Sequence, residues 1–334
     1  MSQETFAGID VSKSVLDVAV RRKEGELATA RFANDAAGHR KLITWLTQRG
    51  RSARVVLEPT GAYSLEVAFA LHDASRIAVM VANPRAIKQF AGALRQRSKT
   101  DVLAAVALQE YAARMPFVPW EPPPAAALEL RAVGRRIAAL VVERTRERNR
   151  FEAATANRAG CAIVRKDLRM NIRQLERRIA RLTTQALGLV AADTTLQRAY
   201  DQLRSICGVA THSAVQLLPE LLALPAGMTA RQWVAHAGLD PRACESGTSV
   251  AKRPRLSKLG NVHIRRVLFM PALVAVRQNP HVKAFFDKLI ARQKKPLQAY
   301  VAVMRKLLHA IHGMFHSGTD FSGEKFHAAA CGGA

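Results

Sequence analysis

Acidic side chains, cysteines and long apolar runs are all scarce in this sequence. No segment approaches the roughly 18 uninterrupted apolar residues of a membrane-spanning helix. Residues 1–30 also lack a basic start followed by an apolar run, the pattern of a secretory signal. We therefore expect a soluble, unprocessed, cytoplasmic protein with no membrane partner. The hydrophobic fraction of 49% predicts folded domains rather than disorder.

Cysteine and histidine patterns exclude a zinc site of the familiar kinds. The chain has 334 residues and 4 cysteines, and no two cysteines have a CxxC or zinc-ligand spacing. The 10 histidines contain no HExxH pairing. A chain of this length does not need disulfides for stability, so reduced thiols are expected.

The shortage of acids leaves a large positive charge. Lys and Arg number 51 against 26 Asp and Glu, which gives a formal net charge of +25 and a pI near 11.0. Such a charge repels itself in the folded state, and a polyanionic partner would relieve the repulsion. Nucleic acid is the first candidate, because neutralising phosphates releases counterions and gives affinity without special geometry.

The first part of the chain has the pattern of an RNase H-like α/β domain, which we place at residues 1–124. Three successive strands are predicted at 5–9, 15–20 and 27–32, and helices and strands alternate after them. Three strands followed by alternating helix and strand is the order expected of that fold.

The remainder of the chain is predicted to be mainly helical. Prolines between residues 116 and 124 interrupt the pattern, and a long Arg-rich helical arm, coiled-coil-like in its spacing, follows at 125–199. The charges of the arm could form a solvated face or contact DNA. A C-terminal domain at 200–320 contains a helix-hairpin-helix-like turn at Gly208, which could offer backbone N–H groups to a phosphate. Residues 321–334 are expected to be a flexible tail.

Three acids stand where a divalent cation could be held. Asp10 ends the first strand, Glu58 follows the buried strand 54–57, and Asp101 begins a helix. Acids at the ends of adjacent strands, with one from a later helix, can converge on Mg²⁺ and support phosphoryl transfer. The alternatives from sequence are a turn residue for Asp10 and a helix N-cap for Asp101.

Ser246 lies in a Ser-Gly-Thr-Ser segment that precedes a strongly basic loop. A hydroxyl beside many cations suits attack on a phosphodiester, because the cations stabilise developing charge. From chemistry alone, such a segment is more often an ordinary loop. The residues we expect to contact nucleic acid are Lys99, Gly208, Lys252, Arg253, Arg255, Lys258, Arg265 and Arg266.

Several strings in both halves resemble the DEDD-type bacterial transposases of the family named for insertion sequence 110. The resemblance keeps its order over about residues 1–318. In the first domain the strings are Gly8–Lys13, Leu57–Gly61, Asn83–Pro84 and Ser98–Asp101. In the second they are Ala237–Pro241, Glu245–Gly247, Ser257–Asn261 and Arg265–Ala272.

The resemblance implies a DNA transposase or recombinase of an insertion sequence. In the family, four acids of the RuvC-like domain bind Mg²⁺, and a serine of the second domain becomes joined to DNA. Matched motif to motif, Asp10, Glu58 and Asp101 resemble three of the acids, and Ser246 resembles the serine. The family also implies a homo-oligomer, dimer or tetramer, and in part of its members a structured guide RNA.

One departure from the family pattern concerns the fourth acid. The family places it three residues after Asp101, and here that residue is Ala104. Glu110 is predicted on the opposite helix face and is a poor substitute. Three acids with water can still hold Mg²⁺, which usually keeps several waters. The sequence therefore leaves open both an active enzyme and a catalytically impaired copy.

Three further functions remain open at this point. An actin-like phosphotransferase would share the first strand and Ser12, but it needs a second Asp-Gly phosphate loop that the sequence lacks. A non-catalytic nucleic-acid-binding protein would explain Ala104. A relative that inverts a DNA segment would share every motif.

Overall fold

The computed structural model describes residues 4–22, 26–59, 61, 63–94, 100–156, 161–246 and 250–327, with backbone alone at 243–246 and 250–253. The chain divides into two compact units, Met1–Pro122 and Pro123–Ala334. Among the described helices, none is both long enough and apolar enough to cross a bilayer.

The first unit contains one five-stranded sheet whose topology matches the predicted RNase H-like order. The strand order is β3-β2-β1-β4-β5, with β1, β2 and β3 antiparallel and β4 and β5 parallel to β1. The strands are β1 Glu4–Val11, β2 Val15–Arg21, β3 Leu27–Ala33, β4 Ser52–Leu57 and β5 Ile77–Val81. The helices are α1 Ala36–Thr47, α2 Tyr63–His72, α3 Pro84–Ala93 and α4 Asp101–Arg114.

The two faces of this sheet carry different cores because side chains alternate along each strand. On one face, Ile9 of β1 packs with Leu42 of α1 and Leu71 of α2. On the other face, Val56 of β4 packs with Leu108 of α4. The predicted mixture of strands and helices is confirmed, and α4 covers the second face.

Helix α4 lies directly on strand β1 because residue 8 has no side chain. A Cβ added to Gly8 would lie 2.2 Å from the carbonyl oxygen of Ala105 and 2.2 Å from the backbone nitrogen of Gln109. Real Cβ contacts are never so short, so only glycine permits this approach. Gly8 therefore fixes the height of α4 above the sheet.

The second unit is mainly helical and is built around one large core. Leu140 of the predicted arm, Leu218 and Leu307 are buried in the same cluster. The helices are α5 Ala125–Ala156, α6 Ala162–Ala191, α7 Thr194–Ser205, α8 Thr211–Leu222, α9 Ala230–His236, α10 Val262–Gln278, α11 Pro280–Ala291, α12 Pro296–Ser317 and α13 Gly323–Phe326. The separate domain status of the arm and its coiled-coil pairing stay predictions.

Two predictions for this unit are corrected by the structure. The basic segment predicted as a loop contains an antiparallel hairpin of β6 Pro241–Ser246 and β7 Val250–Leu256. The tail predicted to be flexible from residue 321 includes α13, where Phe326 is buried against Phe285 and Phe321. Burial of one aromatic ring is enough to hold this short helix in place.

The turn at Gly208 joins α7 to α8, and its assignment to a helix-hairpin-helix element stays a prediction. Gly208 has a φ of +94°, and a Cβ there would lie 2.6 Å from the carbonyl oxygen of Pro271 in α10. This glycine is therefore explained by close packing on α10. Its contact with a phosphate remains a prediction.

We expect Gly8→Ala to unfold the contact between β1 and α4, because the added methyl overlaps two backbone atoms. The cost should be about 3 kcal/mol or more, the upper range for overpacked cores. The measurement is amide hydrogen exchange of β1 and α4 peptides in the full-length protein. Gly92→Ala in α3 is the matched control, since nothing lies within 4 Å of its added Cβ. Equal protection in the two variants would contradict the packing argument.

Candidate active site

Two of the predicted acids directly follow paired residues of neighbouring strands. Ile9 and Leu57 are partners in the parallel pair of β1 and β4, and Asp10 and Glu58 are the residues that follow them. Val56 lies two residues before Glu58 and faces α4. Gly8 lies two residues before Asp10, and its position also faces α4. Alternation therefore directs both acids to the α4 face at the carboxyl end of β1 and β4.

Asp101 reaches the same end of the sheet because α4 runs antiparallel to β1. Glu110 in α4 is ion-paired with Arg21, which lies opposite Phe6 near the start of β1. One to two turns earlier in the helix, Ala105 lies over Gly8. Asp101 is one further turn toward the helix N-terminus, beyond Gly8 and toward the level of Asp10.

The first turn of α4 frees Asp101 from a capping role. Thr100, not Asp101, is the N-cap, and its hydroxyl oxygen accepts a hydrogen bond from the backbone N–H of Leu103 at 3.3 Å. The N-cap alternative for Asp101 is thus wrong, and its exposed carboxylate is available for another role. Lys99 lies outside the described residues.

The donor set fits a hard divalent cation in its chemistry. Three carboxylates share one face and one end of the sheet, and carboxylate oxygens with water are the ligands that Mg²⁺ prefers. Among the residues that the structure describes, no three Asp, Glu, His or Cys side chains are grouped closely enough to form a metal site.

An ion pair that the sequence analysis missed lies beside Asp10. Asp17 is the cross-strand partner of Asp10 and is buried, and its carboxylate accepts a hydrogen bond from Arg31 at 2.9 Å. The hydrogen bond and charge of Asp17 raise the pKa of the Arg31 guanidinium, and Asp101 acts in the same direction. Arg31 thus offsets negative charge next to the acids. The available signal was an acid inside the apolar run of β2.

Ala104 occupies the position of the missing fourth acid, and Glu110, the poor substitute, has a structural role. Ala104 is one helical turn from Asp101 and half-buried. Glu110 is buried at the other end of α4, where it pairs with Arg21 and, at 2.6 Å, with Arg114. Glu110 therefore belongs to the core of the first unit.

Ser246 is the last residue of β6, in the second unit. Its cross-strand partner is Val250, the first residue of β7, so the backbone of Ser246 lies at the end of the paired region. The side chains of Ser246, Lys252 and Arg253 are outside the description. The hairpin nevertheless gives the Ser246 backbone a defined register.

The opposite end of this hairpin is held by a polar clamp. The backbone N–H of Ser257 donates to the carbonyl oxygen of Asp240 at 2.9 Å, and its hydroxyl donates to the Asp240 carboxylate. The backbone N–H of Lys258 extends the pairing to the carbonyl oxygen of Gly238 at 3.1 Å. These contacts lie directly beyond the paired residues Pro241 and Leu256 and fix where the hairpin leaves the helices.

The basic residues near the hairpin differ in their exposure and in whether their side chains make hydrogen bonds within the protein. Arg255, Lys258 and Arg266 are exposed. Arg265 is half-buried and donates to the carbonyl oxygen of Ala237 at 2.7 Å. Part of its guanidinium therefore supports the clamp, while the other three are available to a ligand.

A buried acid joins the arm to the helix that follows the hairpin. Glu220 of α8 accepts two hydrogen bonds from Arg135 of α5, at 2.6 and 3.0 Å, and one from Asn261 at 2.7 Å. Asn261 is also the N-cap of α10. Burial favours the protonated form of Glu220, but the hydrogen bonds from Arg135 and Asn261 together lower its pKa overall.

Family comparisons match both units in chain order. A model described as a transposase of the DEDD IS110 type matches residues 7–155, and a model of the transposase IS116/IS110/IS902 family matches residues 200–287. The chain belongs to the IS110 family of transposases. Membership implies a DNA recombination enzyme, and a DEDD domain suggests dependence on a metal ion.

Full-length relatives of this IS110-family chain include two proteins named for DNA inversion. The pilin gene-inverting proteins of Moraxella bovis and Moraxella lacunata are each 26% identical over 324 residues, which cover 95% of this chain and 98% of theirs. An uncharacterized 43.6 kDa protein of insertion element IS110 from Streptomyces coelicolor is 28% identical over 119 residues, 36% of this chain and 29% of its own.

We expect Glu220→Gln to destabilise the second unit by about 2 kcal/mol, because hydrogen bonds to a charged group are lost. Since folding lowers the pKa of Glu220, its contribution is fully present above the ordinary value of 4.5 and is lost as pH falls through the lower folded value. The variant should therefore lose less stability than the parent on acidification.

Unfolding in urea is measured between pH 3 and 7, and it is followed by the hydrogen exchange of peptides from α8 and α10. Glu176→Gln is the control, because Glu176 pairs with Arg148 at 2.5 Å on the surface and should cost less than about 1 kcal/mol. Equal losses in the two variants would contradict the role of the buried junction.

Proposed function

We propose that this chain is a DNA recombinase that cuts and rejoins DNA, with Mg²⁺ held by Asp10, Glu58 and Asp101 and with Ser246 as nucleophile. The single observation that carries the proposal is the arrangement of the acids. All three lie toward one end and one face of an RNase H-like sheet, in a chain whose two halves match transposase models of one family.

The acids of the first unit would bind the metal and orient it. Bound Mg²⁺ would stabilise negative charge on the oxygens of a phosphodiester. Asp10 and Glu58 come from adjacent strands, so the sheet fixes their separation, while Asp101 is carried by α4. Arg31, paired with Asp17, would limit the repulsion among the acids and so help to hold them together without contacting the metal.

The serine of the second unit would attack phosphorus directly. The serine hydroxyl loses its proton as the Oγ–P bond forms and the bond from phosphorus to one sugar oxygen breaks. That sugar oxygen takes up a proton and leaves as a hydroxyl. The DNA is then joined to Ser246, and the reverse step with a different sugar hydroxyl restores the phosphodiester. Arg255, Lys258 and Arg266 would neutralise the phosphates around it.

DNA inversion is a second candidate outcome of the same chemistry. It is favoured by the full-length match to two pilin gene-inverting proteins. Transposition and inversion differ in the arrangement of the recombining sites, not in the chemical step. Either would use a homo-oligomer, dimer or tetramer, and a structured guide RNA is part of the proposal by family resemblance.

We expect Ser246→Ala to abolish the covalent protein–DNA adduct and to leave DNA binding intact. The measurement is a denaturing gel of purified protein with labelled junction DNA, candidate flanking RNA and Mg²⁺, scored for label retained on the protein. Ser249→Ala, from the same segment, is the matched control and should keep the adduct. An adduct in the Ser246 variant would overturn the assignment of the nucleophile.

We expect Ala104→Asp to give Mg²⁺-dependent activity equal to or greater than that of the parent. An acid one helical turn from Asp101 would add a fourth carboxylate on the same helix face. The rate of adduct formation is measured against Mg²⁺ concentration, with Ala113→Asp at the exposed far end of α4 as control. A rate below the parent's in the Ala104 variant alone would indicate a site adapted to three acids.

A further inference from the structure

A cavity of about 470 Å³ lies beside the base of the β6–β7 hairpin, within the second unit. Its volume is within the range of about 300–1,000 Å³ that is usual for small-ligand pockets. It is formed between the hairpin and the first turns of α12, with Leu289 of α11 and Lys294 of the segment that joins α11 to α12. Arg255 and Lys258, which are assigned above to phosphate contacts, line this cavity, but the cavity itself has been given no function.

The wall of the cavity is mostly apolar and its charged groups are all cationic. Its apolar wall comes from both sides, with side chains that include Leu239, Pro254, Leu256, Leu297 and Val301. Four cations also line it, namely Arg255, Lys258, Lys294 and Arg305, and no acid does among the side chains that the structure describes. An apolar slot with a cationic rim is complementary to a planar base that carries phosphates.

Two of these side chains are costly as the protein stands. The Nε atom of Arg305 is buried and makes no hydrogen bond within the described part of the chain, which costs free energy. Leu297 leaves 62% of its surface exposed at the rim. Leu297 would gain from an occupant that covers it with an apolar surface.

The position of the cavity indicates which polyanion would enter it. Arg255 and Leu256 are residues of β7, whose partner strand ends at Ser246. Asp240 and Ser257 clamp the same end of the hairpin that borders the cavity. A DNA strand that reaches Ser246 along the hairpin would therefore pass the cavity.

We propose that this cavity receives one unstacked nucleotide of single-stranded DNA, its base against Leu297 and Leu256 and its flanking phosphates on Arg255 and Lys294. The proposal rests on the proposed function, because DNA is selected as the polyanion by the nucleophile proposed at the other end of the same hairpin. Unstacking a base costs a few kcal/mol in a duplex and much less in a strand already single. The site would thus favour the DNA segment that is opened during strand exchange.

The test uses full-length protein and a 12-nucleotide single-stranded DNA with one 2-aminopurine, in EDTA so that no metal-dependent chemistry occurs. The fluorescence of 2-aminopurine rises when the base leaves its neighbours, so binding in the cavity gives an increase that simple phosphate contact does not. We expect Leu297→Ala to abolish the increase. Met270→Ala is the matched control, since Met270 is 59% exposed elsewhere on the same unit.

The cationic rim is tested separately by salt dependence. Each lost phosphate contact on a single strand should reduce the slope of log K against log salt by about 0.7. The double variant Arg255→Gln and Lys294→Gln should therefore reduce the slope by about 1.4 in the same units, whereas the exposed Arg277→Gln should leave it unchanged. Equal slopes in the double variant and the parent would overturn the phosphate contacts.

Three outcomes decide between this proposal and its competitors. A fluorescence increase that survives Leu297→Ala overturns the cavity as the base site. An equal or larger increase with the RNA strand of the same sequence overturns the choice of DNA. A shift in oligomeric mass by light scattering for Leu297→Glu, with the parent's DNA binding, shows that a second copy covers the cavity instead.

The readout separates this proposal from the proposed function. A fluorescence increase without a Ser246 adduct would support the nucleotide site and count against the recombination chemistry. An adduct without a fluorescence increase would support the chemistry and overturn the nucleotide site alone.

Discussion

The direct contact of α4 with β1 is the constraint on which the candidate active site depends. Asp10 and Glu58 are set by the register of two parallel strands, and that register would exist without α4. Asp101 is different, because its position depends on how closely and in which direction α4 crosses the sheet. The absence of a side chain at Gly8 sets the distance, and the ion pair of Glu110 with Arg21 sets the direction. Two structural contacts, at Gly8 and between Glu110 and Arg21, thus determine where Asp101 lies.

In the second unit, polar contacts rather than close backbone packing support the hairpin that carries Ser246. A two-stranded hairpin is marginally stable by itself, so a serine at its end needs support from elsewhere. The clamp between Asp240 and Ser257 closes one end of the hairpin, and the contact between Asn261 and Glu220 anchors the helix that follows. Because Glu220 also binds Arg135, the arm and the hairpin share one buried anion. Replacing that acid should therefore affect both.

Sequence patterns predicted most of the first unit and less of the second, for physical reasons. Strands such as β4 are buried on both faces and read as apolar runs, so burial alone reveals them. The β6–β7 hairpin has no such alternation, because Arg242, Cys244 and Arg255 are spread along it, and a polar ribbon resembles a loop in sequence. The packing of Phe326 depends on Phe285, 41 positions earlier, which no local pattern reports. The three acids were found from spacing and resemblance, whereas the pair of Asp17 with Arg31 depends on strand pairing.

The direction of α4 affects the electrostatic repulsion among the three carboxylates. A helix carries roughly half a positive elementary charge at its N-terminus, where its first backbone N–H groups have no partner in the helix. Because α4 runs antiparallel to β1, that positive end faces the end of the sheet that bears Asp10 and Glu58. The field of the helix and the cation of Arg31 therefore both oppose the repulsion among the carboxylates. The charges of the fold itself thus favour bringing these carboxylates toward one end of the sheet.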